Sequence, residues 1–286
     1  MKTLYSKLAR FVQEKRHRYF CRPGYLGSVD PVAFSLSGQS STPFTMQIPR
    51  SKCRWPVWSG FDQQGRNPLY RTACELVKGT GHNTIVNSLE NFYMSHTEGS
   101  ALAFSGLNED EAPGLASLKL YEAREPWDAK VARPRSLREM YRISKNRARL
   151  DFYSRCPPVS LELARRAALN EVAYLVRLCE SMKKKGYRRN SGPDGDIKGD
   201  LLTWAGQNGH CYVVVVRSGQ HRLALLLALE KPSVPVRVAN SCPRLIRSED
   251  VLEWENVKAG VYSPEGALKL FYRYATGSDY GNQTII

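Results

Sequence analysis

Residues 211–238 constrain the fold of this chain more than any other stretch. CYVVVV (Cys211–Val216) is an unbroken, β-branched apolar run, short enough to be a buried strand. SGQHR (Ser218–Arg222) follows, with a glycine where the strand has to turn. LALLLALE (Leu223–Glu230) is apolar almost all the way round and predicts a buried helix. VPVRV (Val234–Val238) closes the unit as a second strand, with Val234, Val236 and Val238 on one face and Arg237 on the other. Such a unit buries its apolar faces only in packed layers of sheet and helix, so the expected fold class is α/β (α+β).

The turn carries the chemistry. Glycine at Gly219 lets a ligand approach the backbone, because no Cβ stands in the way. The helix beyond it offers unpaired N–H groups and the positive end of its dipole. His221 and Arg222 add side-chain donors, and a guanidinium grips phosphate oxygens in a fork. Cations at a helix N-terminus are disfavoured by about 0.3–1 kcal/mol each, so two of them predict an anion to hold, phosphate first. Ser218 and Gln220 flank the site, and Arg237 joins it if its strand face borders the turn. The alternative for the turn itself is structural, a glycine cap with solvated His221 and Arg222.

Upstream, Ser160 is a suitable N-cap for a long helix. Leu161, Ala164, Ala168, Val172, Leu175, Cys179 and Met182 recur at helical spacing, and Lys183–Lys185 with Gly186 signal its end. SGPDGDIKGDLL (Ser191–Leu202) predicts a turn-rich loop. Its acids Asp194, Asp196 and Asp200 are candidates to hold Mg²⁺ beside phosphates, or to deprotonate a substrate hydroxyl. Ordinary Asp-Gly turn chemistry explains the same composition.

Strand, G-x-H-R, an alanine/leucine-rich helix and V-P-V-R-V, preceded by AYLVRLCESMKKKGY (Ala173–Tyr187), resemble the nucleotide-binding core of the ParB/sulfiredoxin-like superfamily. The resemblance spans roughly residues 160–239. It implies that Gly219, His221 and Arg222, with Ser218 and Gln220, hold nucleotide phosphates. Gln220 stands where sulfiredoxins carry their reactive cysteine, and a carboxamide is no nucleophile, which argues against peroxiredoxin repair. Chromosome-partitioning relatives resemble G-E-R-R and continue into a helix-turn-helix, of which the residues after Ala239 show no pattern. Free-serine kinases of the superfamily also resemble G-x-H-R, leaving phosphorylation of a small molecule open. Their catalytic carboxylate matches no single residue here.

Composition bounds the alternatives. A chain of 286 residues, 42% hydrophobic and 24% charged, can bury a full core. No apolar run reaches the roughly 20 residues that span a bilayer, and the first residues lack the apolar stretch of a secretion signal, so a cytoplasmic protein is expected. The 7 cysteines form no C-x-x-C pair, and the 5 histidines no H-E-x-x-H, so neither a zinc site nor a disulfide framework is indicated. The net charge of +15 invites a nucleic-acid reading, concentrated in Lys119–Arg149 and KKKGYRR (Lys183–Arg189). Basic charge serves anionic metabolites and lipid surfaces equally well.

Leu4–Phe20 has the pattern of an amphipathic helix with a basic face. Tyr25–Gly60 has the composition of loops and short strands, and Trp55, Trp58 and Phe61 form an aromatic cluster beside it. Helices are predicted over Asn67–Lys78, Ser88–Tyr93, from Ser136, over Asp250–Trp254 and over Ser263–Gly277. The last has Ala267, Leu270, Phe271 and Tyr274 on its inner face. Cys156-Pro157-Pro158 suggests a division into a family-specific region, residues 1–158, as a substrate or partner domain, and a core over 159–286.

The expected function is a nucleotide-dependent phosphotransferase acting on a small polar substrate. His221, Arg222 and Asp196 would be its catalytic residues, with ATP, ADP or CTP and Mg²⁺ as cofactors. The alternative is a nucleotide-switched protein whose basic surface binds nucleic acid or a partner. A third is a scaffold whose core binds nothing.

Overall fold

The computed structural model describes residues 24–25, 30–32, 44–56, 67–95, 101–119, 122–133, 161–187, 196–207, 209–238 and 245–277. The expected helix at Leu4–Phe20, Trp58, Phe61, the segment from Ser136, the N-cap Ser160, Arg188, Arg189 and Asp194 lie outside them. In chain order the strands are β1 (Gly24–Tyr25), β2 (Phe44–Pro49), β3 (Cys53–Arg54), β4 (Ile197–Gly206), β5 (Gly209–Ser218), β6 (Ser233–Val238) and β7 (Leu245–Arg247). The helices are α1 (Pro68–Lys78), α2 (His82–Ser95), α3 (Ala101–Ser105), α4 (Leu161–Lys185), α5 (Gln220–Ala228), α6 (Glu255–Lys258) and α7 (Pro264–Thr276). The fold is α+β, with one mixed sheet between two layers.

The sheet runs β1-β2-β6-β4-β5-β3. β4 and β5 form an antiparallel hairpin, while β6 and β7 lie end to end along the other edge of β4, both parallel to it. β2 is antiparallel to β6, and β3 is parallel to β5. Strands from before residue 158 therefore share a sheet with those from after it, so the division drawn there does not separate two sheets.

Alternation along the hairpin sorts the layers. Leu201, Val214 and Val216 join Leu223–Leu226 of α5, Leu175 and Cys179 of α4 and the valines of β6 in one core. Leu202, Val213 and Val215 face the opposite core, built from residues 101–132 and 246–275 around Trp127, Trp254, Phe271 and Tyr274. A third cluster packs α2 on the first half of α4, through Ile85, Val86, Leu89, Ala164, Ala168 and Val172.

Helix ends follow their capping residues. Asn67 Oδ1 accepts from Tyr70 N at 2.9 Å, Pro68 opens α1, and Gly79 closes it in the left-handed region. Ser263 Oγ accepts from Gly266 N at 3.0 Å to start α7, and Gly277 ends it. Ala267, Leu270, Phe271 and Tyr274 are fully buried, as their spacing predicts. Leu161 departs from its predicted inner face and is 59% exposed, whereas Ala164 in the same turn is buried. The helix expected at Asp250–Trp254 is a 3₁₀ segment, Ser248–Glu253.

The loop expected through Leu202 is corrected: from Ile197 onward it is strand β4. Gly and Asp are poor strand formers alone, but pairing overrides propensity here. The ladder shifts register between Lys198 and Gly199, with Arg217 of β5 as the extra residue of the bulge opposite them. A Cβ on Gly199 would lie 2.5 Å from Val214 Cγ1 and 2.8 Å from the carbonyl oxygen of Val215. Gly199→Ala is accordingly expected to lower the unfolding free energy by about 1–3 kcal/mol, the usual range for overpacking. Urea denaturation followed by tryptophan fluorescence measures it, and an unchanged midpoint would show that β5 can give way beside residue 199. Among the described residues, no helix is long and apolar enough to cross a membrane.

Candidate functional site

Ser218 ends β5, and Gly219 turns the chain into α5 with φ 80° and ψ 24°, a left-handed conformation that favours glycine. A Cβ at Gly219 would stand 2.9 Å from the Ile197 Cα and 3.2 Å from the Asp196 carbonyl oxygen. The glycine is thus required first by the close approach of β4. No side chain caps the start of α5. Gln220, its first residue, is buried.

His221 meets the middle of α4 and Arg222 the residue Tyr187 beyond its end, and there they find groups that sequence reasoning did not select. His221 Nε2 is hydrogen-bonded to Oε1 of Glu171, which is fully buried. Tyr174, one turn along α4, sets its ring edge-on to the imidazole at 5.0 Å. The anion that answers His221 is therefore a carboxylate of the protein itself. Glu171 had a legible signal: it falls in the apolar register of α4, between Ala168 and Leu175, where a charge needs a partner.

Arg222 is matched differently. Tyr187, just beyond Gly186 at the end of α4, lies in the field of both Asp196 and Arg222. Burial pushes its phenol above the ordinary tyrosine value and Asp196 adds to this, while the Ile197 backbone and Arg222 pull it back. Arg222 Nη1, Asp196 Oδ1, Tyr187 Oη and Glu171 Oε2 are all buried without a well-formed hydrogen bond. Only three other buried side-chain atoms among the described residues share that condition, so the turn concentrates unmet polarity. Each such group costs about 1–3 kcal/mol, and native folds keep few of them. Together they offer carboxylate acceptors and guanidinium and phenol donors beside a helix N-terminus.

The other expected residues are placed elsewhere. Asp200 lies with Leu202 on the face opposite α5, and its Oδ2 accepts from Arg217 Nε at 2.5 Å. The same guanidinium bonds Glu125 at 2.5 Å and Asp128 at 3.2 Å. Asp196 stays at the turn, so Asp196 and Asp200 do not face one another across a shared cation position. Among the described residues, no group of three His, Cys, Asp or Glu side chains is arranged to hold a metal ion. Arg237 also faces away from α5, since Val234, Val236 and Val238 take the side that packs on it. It pairs with Lys198, whose other neighbour is Ser218, so one strand separates Arg237 from the turn. Ser218 and Gly219 shape the turn, and His221, Arg222 and Asp196 surround it.

Burial alone would lower the Arg217 guanidinium, but Glu125, Asp200 and Asp128 hold it well above its ordinary value. Tyr274 Oη donates to Glu125 at 3.3 Å, and Asn256 Nδ2 donates to the carbonyl oxygens of Glu125, Asp128 and Lys130. Residues 122–133 are thereby fixed against the strand that leads into the site.

No protein-family model, no curated protein and no solved structure matches the chain.

Arg217→Met leaves three carboxylates without their cation. The expected loss is about 3–5 kcal/mol of stability, the range for breaking a buried pair from one side. Chemical denaturation reads it directly, and a loss under about 1 kcal/mol would mean that water screens the cluster.

Proposed function

We propose that α4, β4, β5, α5 and β6 form a ParB/sulfiredoxin-like phosphate-binding core, and that the chain is a nucleotide-dependent phosphotransferase acting on a small polar substrate. The observation that carries this reading is the pair of buried, unsatisfied groups Arg222 Nη1 and Asp196 Oδ1, set beside the glycine that opens α5. A guanidinium and a helix N-terminus suit phosphate oxygens. A carboxylate next to them suits the proton of an attacking hydroxyl.

In this reading the turn Ser218–Gly219–Gln220 and Arg222 hold the nucleotide phosphates. His221 and Arg222 stabilise charge on the transferred group, since phosphoryl transfer depends mainly on positioning and electrostatics. The acceptor oxygen forms its bond to the terminal phosphorus as the bridging P–O bond breaks toward the departing nucleotide. Asp196 takes the acceptor's proton and releases it to water. Asp196 is also the described carboxylate that would meet Mg²⁺ carried on the nucleotide phosphates; Asp200, engaged by Arg217, has no part in it.

The exposed lysines Lys183–Lys185, one residue before Gly186 and Tyr187, favour a second reading in which a polyanion is bound at the same end of α4. Lysines at a helix C-terminus are also placed there by the helix dipole. Salt separates the readings, because nucleic-acid affinity falls steeply as salt rises.

The test is thermal stabilisation of wild type and Arg222→Ala by ATP, ADP, CTP and GTP, with and without Mg²⁺. A ligand at ~100 times its dissociation constant adds about 2.7 kcal/mol. Stabilisation by a particular nucleotide, lost in Arg222→Ala, is expected. No response to any nucleotide, or an equal response in the variant, refutes the assignment.

A further inference from the structure

Gly186 ends α4 in the left-handed region, with φ 67°. The residue after such a glycine commonly packs an apolar side chain back on the helix it closes. Tyr187 does so, lying against the core that α4 shares with α5 and the sheet. Phenylalanine would meet that requirement with no polar atom to bury, so the cap explains the ring and not the hydroxyl. A buried hydroxyl without a partner costs stability, and Tyr187 Oη is buried and has none. The Ile197 backbone and Arg222 attract the oxygen as donors, but neither closes a hydrogen bond with it. The phenol's own proton is thus unspent, and burial, the largest influence, holds it on the oxygen.

The neighbours of the hydroxyl are in the same condition. Arg222 Nη1 keeps a donor unspent, and Asp196 Oδ1 an acceptor. Asp196 and Ile197 stand directly against Gly219, the glycine that opens α5. Donor and acceptor have the polarity to saturate one another and do not, which leaves two donors and one acceptor for a ligand. We infer that Tyr187 is a further ligand-binding residue of this site: with Arg222 Nη1, its hydroxyl donates to the oxygens of one phosphate group. This rests on the phosphate-binding reading of the turn. Hydrogen bonds to an ionised acceptor are the strong ones, and a neutral phenol adds one without adding positive charge.

Tyr187→Phe deletes the hydroxyl and keeps the ring. In the full chain without ligand, its urea midpoint should equal or exceed that of wild type, because a group with no partner has been removed. Its affinity for inorganic pyrophosphate, and for ATP, ADP, CTP or GTP with Mg²⁺ where wild type binds them, should fall about 10- to 100-fold by titration calorimetry, the worth of a hydrogen bond to a charged group. A lowered midpoint, or a variant that does not fold, shows the hydroxyl bonded within the protein and overturns the inference. Equal affinity in variant and wild type also overturns it, while the phosphotransferase reading stands. If pyrophosphate binds wild type and weakens in the variant but no nucleotide binds, the phosphotransferase reading fails and Tyr187 keeps its role. If wild type binds neither, both are refuted.

Discussion

Arg217 is the interaction on which the rest of the arrangement depends. Its guanidinium binds Asp200 on the neighbouring strand and reaches across 92 and 89 residues of sequence to Glu125 and Asp128. Three carboxylates around one cation cannot be exchanged for solvent cheaply, because removing the cation strands the others in low dielectric. The residue after Arg217 is Ser218, where the strand gives way to the turn. The cluster thus anchors the end of β5 from one face while Gly219 and Ile197 fix it from the other. The turn is thereby held in a rigid frame, as the proposed function would require.

Across the sheet from that satisfied network lies an unsatisfied one. Asp196, Arg222, Tyr187 and Glu171 each retain a buried polar atom without a partner. The contrast is physical as well as spatial. On the Arg217 side every carboxylate of the cluster meets a donor, and on the α5 side donors and acceptors stand close together without saturating one another. Stability alone does not favour the second arrangement. Under the proposed function, a bound phosphate group would complete the hydrogen bonding.

Much of this was legible before the structure. β5, α5, β6 and α7 fall close to the segments that periodicity marks, because each is a short element with a nearly continuous apolar face. The turn residues Ser218–Arg222 announced themselves through a glycine and two cations at a strand-to-helix junction. β4 did not, since Gly199 and Asp200 resemble turn formers, and only the partner strand and Arg217 make them strand residues. Glu171 and Tyr187 were missed for a different reason: each is remote in sequence from the turn and meets it only through packing of α4 on α5.

The sequence by itself determined β5, α5, β6 and α7 and the residue types at the turn, because hydrophobic period, caps and glycine positions act within a few residues. Which acid serves which cation was decided by tertiary structure alone. Asp196 and Asp200, four residues apart, meet different partners because Asp196 lies in the bend before β4 while Asp200 is a strand residue paired beside Arg217. Glu171, fifty residues from His221, goes to it because two helices pack face to face. Charge pairing acts through space over a few ångströms, and the chain fold sets those distances.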